Sequence, residues 1–301
     1  MDAFIDIIDI YWIRNTILYL LSAILLFAIG RVVFQAWHKN INFAQELTLK
    51  DNFAFAISVS GYYLGLLFAI GGTIQGTSFG IFTDLENILF FGLSAILLLN
   101  LSSYINDKLI LTKFKIRKEI IRDENAGTGF VEAANYIACG LIVGGAVNGD
   151  VHNFFPDFVL GYQVSGILTM IAFWILGQAM LIIAARIYNK MISYDLHKEI
   201  LHKNIAAGIA FGAFLIAMAN LFGFGISDDF VGWEEQFSNV FFDVGLGLIL
   251  LPLVRWMTDL ILLPGGKFSA EIAGQEKPNV GAGLIEAVAY IGSSLLITWC
   301  L

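Results

Sequence analysis

The chain has 301 residues, 58% of them hydrophobic and only 14% charged, with a mean hydropathy of +0.77. A soluble domain carries about 25% charged residues, so a soluble enzyme is excluded and a chain built mostly for lipid takes its place. The net charge of -8 does not point to a basic partner, because the two signs separate along the chain, and nucleic-acid binding finds no support.

In chain order, apolar stretches long enough or nearly long enough to cross a bilayer run over about 11–36, 53–72, 87–106, 126–147, 162–187, 205–224, 240–263 and 280–301. The start, MDAFIDIID, is acidic where a cleavable signal needs a basic region, so the first span reads as an anchor. Charge settles the count. Of 17 Lys and Arg, Arg14 stands at the start of the first span and the rest fall at the connections between spans 1 and 2, 3 and 4, 5 and 6, and 7 and 8 or, as Arg31, Arg186 and Arg255, toward the ends of the spans that lead into them. The alternate connections hold no Lys or Arg and carry Asp84, Glu86, Asp150, Asp157, Asp228, Asp229, Glu234 and Glu235. Basic connections are cytoplasmic, which predicts eight spans with both termini outside. Asp2, Asp6, Asp9 and Asp243 add to the outward acidity, and the basic loops suit contact with anionic lipid.

The even-numbered spans begin alike, at Asn52, Asn125, Asn204 and Asn279, spaced 73, 79 and 75 residues apart. Upstream of each lies an apolar residue, two spacers, Glu and another apolar residue: Phe43 with Glu46 and Leu47, Ile116 with Glu119 and Ile120, Leu196 with Glu199 and Ile200, Phe268 with Glu271 and Ile272. The predicted unit is a helical hairpin closed by a short amphipathic crossover, repeated four times. A longer period lies on top. Spans 4 and 8 share Asn-x-Gly-x-Gly-x-x-Glu-Ala-x-x-Tyr-Ile, at Asn125 to Ile137 and Asn279 to Ile291; Asp107 and Asp259 stand 152 apart, Arg31 and Arg186 155 apart. The chain therefore reads as all-α, with two four-helix halves, 1–150 and 151–301. Each repeat holds an even number of spans, so all copies share one orientation, which argues against inverted-repeat carriers.

The segments ENAGTGFVEAANYIACGL and KPNVGAGLIEAVAYIGSSLL, with the weaker KNIAAGIAFGAFLIAMA and DNFAFAISVSGYYLG, resemble domain-of-unknown-function family 350, the YjfL-like bacterial inner-membrane proteins. That resemblance implies tandem pairs of membrane helices, a bacterial cytoplasmic-membrane location and no established catalytic set. Spans 2 and 6 depart from the acidic form, with Val59 and Phe211 in place of the Glu.

Each Asn reads as a helix cap, and the small residues after it, Gly127, Gly129, Gly281 and Gly283 among them, as close-packing positions. The shared motif predicts that spans 4 and 8 pack near a pseudo-twofold axis through the faces that hold these glycines. Converging helix N-termini around an anion are the functional alternative. Glu132 and Glu286 lie seven residues past their caps, roughly 10 Å deeper, with Tyr136 and Tyr290 one turn further. A carboxylate at that depth is costly unless protonated, paired or wet. Asn100, Asn135, Gln178 and Asn220 read as interhelical hydrogen-bonding groups, and Pro252 as a kink. Cys139 and Cys300 sit at depths about 10 Å apart and read as buried thiols, not a disulfide. His38, His152, His197 and His202 lack metal-site spacing, so neither a metal nor a cofactor is expected, nor catalysis.

Two functions compete. A non-enzymatic membrane scaffold, holding lipids, a membrane or cytoplasmic protein partner or a second copy in envelope maintenance, comes first, because the outer loops are short and nothing resembles a selectivity filter. Permeation or coupling of a proton or small cation at Glu132 and Glu286 is the alternative. A hydrated route to either glutamate favours the second reading; a dry glutamate paired with the opposite half favours the first.

Overall fold

A computed structural model of the chain describes residues 10–39, 41–76, 78–148, 161–227, 232–262 and 266–301. Asp2, Asp6, Asp9, Asp150, His152, Asp157, Asp228 and Asp229 lie outside the described residues. Among the described residues the structure is helical: α1 (Ile10–Trp37), α2 (Phe53–Gln75), α3 (Ile81–Ile105), α4 (Ile116–Ile121), α5 (Ala126–Val147), α6 (Tyr162–Met191), α7 (Leu196–Leu201), α8 (Ile205–Gly225), α9 (Trp233–Leu262), α10 (Phe268–Ala273) and α11 (Val280–Cys300). Two π-helical turns, Gln45–Leu49 and Asn106–Ile110, complete the helical segments. Eight of the helices are long and apolar enough to cross a membrane. The third and seventh start earlier than hydropathy alone suggests, at Ile81 and Trp233, because Asp84, Glu234 and Glu235 occupy first turns. Acidic side chains there complement the helix dipole instead of ending the helix.

Helices α2, α5, α8 and α11 pack side by side in that order. Over this row, α3 lies on α2 and α5, α6 on α5 and α8, and α9 on α8 and α11, while α1 packs on α3 and the edge of α2. Burial follows position: the apolar stretches of α5 and α8 are 78% and 83% buried, those of α1 and α9 only 17% and 22%. The expected placement of spans 4 and 8 near a pseudo-twofold axis is therefore corrected, since the row repeats by translation and puts span 8 at its end. Helix α5 packs between α2 and α8, and α11 packs on α8. The two helices are alike because they occupy equivalent places in the row, and equivalent places are not neighbouring ones.

Glycine sets the spacing of the row. A methyl group on Gly140 would stand 2.0 Å from the Gly65 carbonyl oxygen, on Gly72 2.1 Å from that of Gly144, and on Gly145 2.2 Å from that of Gly223. Backbones this close leave no room for a Cβ. Gly127, Gly129 and Gly283 also face backbone, at Asn204, Ala54 and Ala206, whereas Gly281 meets only the Asn279 side chain within 4 Å.

The four asparagines cap α2, α5, α8 and α11, each Oδ1 accepting from the amide three residues on, at Phe55, Thr128, Ala207 and Ala282. Their Nδ2 groups do more. Each donates to the upstream carboxylate, Glu46, Glu119, Glu199 or Glu271, at 2.8–3.0 Å. Asn52, Asn125 and Asn204 also donate to a carbonyl of the following connector, Ile120, Ile200 and Ile272, at 3.0, 2.7 and 2.8 Å. Cap, carboxylate and next connector are thus tied at one amide. Among the described residues no connector follows Asn279, which is exposed, while the other three are buried.

Candidate functional site

Asp107 and Asp259 begin the construction of two comparable sites. Each Oδ1 accepts, at 2.8 Å, the amide that opens a connector helix nine residues on, Ile116 of α4 or Phe268 of α10. Neither connector has a side-chain cap from the residue just before it, so the aspartates supply the missing acceptor. This fixes each connector against the end of the preceding long helix and above the glutamate of the next.

Glu132, on α5, is 3% exposed. One carboxylate oxygen accepts from the Ser103 hydroxyl and the other from Asn106 Nδ2 at 2.5 Å. Tyr136, one turn deeper, meets Tyr62 edge-on at 5.3 Å, and Phe34 closes the group at 5.1 Å from Tyr62. The Tyr62 hydroxyl donates to the Gly30 carbonyl at 3.1 Å. Between these rings and the Lys- and Arg-rich end of the helices lies a cavity of about 350 Å³, lined by Ser103, Glu132 and Tyr136 within and by His38, Lys108, Lys115 and Arg117 toward its rim. Burial pushes the His38 imidazole below its ordinary value, which keeps it neutral near pH 7.

Glu286, on α11, repeats the frame and changes the chemistry. Its rings are Tyr188, Phe214 and Tyr290, with centroids 5.1 Å apart for the first two and 5.3 Å for the last two. Its partner is a cation: Arg255 Nε donates to Oε1 at 2.6 Å, and Arg255 Nη2 donates to Ser269 Oγ at 3.0 Å. Glu286 is fully buried. Ser103 and Arg255 occupy matching positions 152 residues apart, and so do Arg117 and Ser269. The halves therefore carry the same two residue types with their places exchanged.

The structure brings Glu132 to Tyr136 and Glu286 to Tyr290, and keeps the two pairs in separate helix groups. Neither glutamate bonds across to the opposite half; Ser103, Asn106 and Arg255 all belong to the glutamate's own half. Ser103, Asn106 and Arg255 are the glutamate partners that sequence reading missed. Aligning the halves at the 152-residue offset of Asp107 and Asp259 places Arg255 opposite Ser103. The four-residue glycine spacing of Gly61 and Gly65, Gly140 and Gly144, and Gly208 and Gly212 was likewise available as a close-packing signal. Of the other polar residues, Asn100 donates to its own helix at Ile96 and lies 3.4 Å from the Tyr62 hydroxyl. Both cysteines are free; Cys139 is buried and Cys300 is exposed.

The profile of the Domain of Unknown Function family DUF350 matches residues 6–147 and again 162–301. The chain belongs to this family. Its two matches coincide with the two groups of helices that frame Glu132 and Glu286. The chain is also 23% identical over 279 residues to a UPF0719 transmembrane protein of Aquifex aeolicus (strain VF5), covering 90% of this chain and 96% of that one. No solved structure matches it. This is thus a multi-pass membrane protein of a family whose function is not established.

Proposed function

We propose that the protein is a non-enzymatic multi-pass protein of the bacterial cytoplasmic membrane in which Glu132 accepts a proton or small cation from the cytoplasmic side. The observation carrying this is the contrast between the two glutamates. Glu132 lines a cavity and is held by the neutral donors Ser103 and Asn106, whereas Glu286 is fully buried against Arg255. A carboxylate held by neutral groups keeps its charge available to an incoming cation; one bonded to a guanidinium does not. In this reading the helices form four parallel hairpins with both termini outside, an arrangement favoured by the repeated asparagine ties and by the Lys and Arg side chains around the cavity rim.

A second reading, the scaffold with lipid or protein partners, is favoured by the backbone-to-backbone glycine contacts of the α2, α5, α8 and α11 row, which suit a rigid body. Ion flux into proteoliposomes separates the two. The cation-coupling reading expects proton or cation flux above empty liposomes, abolished in Glu132→Gln and retained when Arg255→Met and Glu286→Gln are combined. Absence of wild-type flux across pH gradients and cations sinks it in favour of the scaffold. Equal flux in wild type and Glu132→Gln removes Glu132 from the path.

A further inference from the structure

The second half of the chain already contains a cation seated on its buried glutamate, and that cation is a template. Arg255 reaches from α9 to Glu286 and on to Ser269 of α10. At the matching positions the first half reverses the pair, with Ser103 on α3 and Arg117 on α4. Exchange of Arg for Ser at the inner position removes the built-in cation from Glu132. Exchange of Ser for Arg at the outer position moves a guanidinium to the cavity lining, where Arg117 and Lys115 are exposed. The space between them is the cavity of about 350 Å³.

We propose that this cavity binds a zwitterion, a primary ammonium joined to a phosphate or carboxylate. The ammonium sits on Glu132 as the Arg255 guanidinium sits on Glu286, and the anion meets Arg117 and Lys115. The inference rests on the reading of Glu132 as a cation site and names what carries the cation. Charge order supports it: a bare cation on Glu132 leaves the basic rim without a partner and a bare anion at the rim leaves Glu132 without one, while a ligand with both charges satisfies each end. Trp37 and Tyr104 line the same cavity at helix ends, 49% and 56% exposed, as aromatic side chains do at headgroup depth. An aminophospholipid headgroup carries this chemistry, and so does free phosphoethanolamine.

The test uses the purified full-length protein. In micelles free of aminophospholipid it is titrated with phosphoethanolamine, ethanolamine and inorganic phosphate, read by calorimetry and by the thermal unfolding midpoint. In nanodiscs, phosphatidylglycerol alone is compared with phosphatidylglycerol plus phosphatidylethanolamine. Phosphoethanolamine is expected to bind and raise the midpoint, ethanolamine to bind more weakly, and phosphate alone to do nothing. Glu132→Gln should weaken binding about tenfold or more, Ser103→Arg should abolish it by filling the cation position, and Arg117→Ser should weaken phosphoethanolamine while sparing ethanolamine. A response to phosphatidylethanolamine nanodiscs without one to free phosphoethanolamine assigns the site to the lipid; a response to phosphoethanolamine supports the site for the free compound. No wild-type response to either overturns the proposal, as does undiminished binding in Glu132→Gln. Undiminished phosphoethanolamine binding in Arg117→Ser also overturns it, by removing the partner assigned to the anion. Should Ser103→Arg not fold, the Glu132→Gln comparison decides alone. Proton or cation flux that depends on Glu132 without any ammonium binding ends this inference and leaves the ion reading standing.

Discussion

Removing Arg255 should damage the protein far more than removing its counterpart Ser103, although both touch a buried glutamate at the same place in the frame. Arg255→Met deletes the 2.6 Å bond to Glu286, whose other oxygen, Oε2, has no hydrogen-bond partner. The carboxylate is left buried and uncompensated, which costs about 3–5 kcal/mol when one member of a buried pair is removed. Ser103→Ala deletes one neutral donor to Glu132 and leaves Asn106 in place beside the cavity, a loss of about 1–2 kcal/mol. Combining Arg255→Met with Glu286→Gln removes both charges and should recover most of the first loss, since an apolar or neutral replacement of a whole buried pair is often close to neutral. Unfolding midpoints in detergent, measured for the two singles and the double, give the coupling directly. A single Arg255→Met variant as stable as the double would refute the reasoning, because it would mean that Glu286 does not depend on the guanidinium.

Gly140→Ala places a Cβ 2.0 Å from the Gly65 carbonyl oxygen and should destabilise by about 1–3 kcal/mol or more, while Gly292→Ala, with nothing within 4 Å, should leave folded yield and thermal aggregation unchanged. Asn125→Ala loses the cap on Thr128 and the ties to Glu119 and Ile200 and should cost more than the roughly 1 kcal/mol of a cap alone; Asn279→Ala, exposed and without a following connector among the described residues, should cost about a cap, and equal losses would disprove the tie. The Lys113 ammonium and the Lys198 amide hold the Asp195 carboxyl below its ordinary value. A depressed folded value means that this contribution is complete above the ordinary carboxylate range and fades as pH falls through the folded one, so Asp195→Asn should lower stability by a constant amount between pH 6 and 8 and flatten the acid limb below about pH 4. A reporter fused after Leu301 should read as outside the cytoplasm and one near Lys115 as inside; cytoplasmic activity at Leu301 would end the eight-span topology.

The span count was legible because a missed or added helix inverts every later loop and destroys the separation of Lys and Arg from Asp84, Glu86, Glu234 and Glu235. Helix starts were less so, since Asp84 and Glu234 look like loop residues to a hydropathy reading and are first-turn residues in the fold. The carboxyl positions Glu132 and Glu286 were legible from the repeated motif, but the motif implied equivalent sites. The difference lies on other helices, at Ser103 and Arg255, where the likeness between the halves is diffuse. The placement of spans 4 and 8 near one axis was misread for a related reason. A shared pattern reports shared surroundings, and the neighbour that Gly129 and Gly283 each face is the preceding helix of the row, at Ala54 and Ala206.

The amide ties also impose an order on assembly. Asn52 finds its last acceptor at Ile120, Asn125 at Ile200 and Asn204 at Ile272, in every case a carbonyl made 68 to 75 residues later. A chain delivered to the membrane from its N-terminus can therefore complete each junction as soon as the next connector leaves the ribosome, well before the molecule is finished. Truncation after any such junction leaves one unfilled donor at the growing edge and no broken bond behind it. Lengthening the row by another pair of helices adds one tie and disturbs none, so the row can change length across evolution without rebuilding its interior.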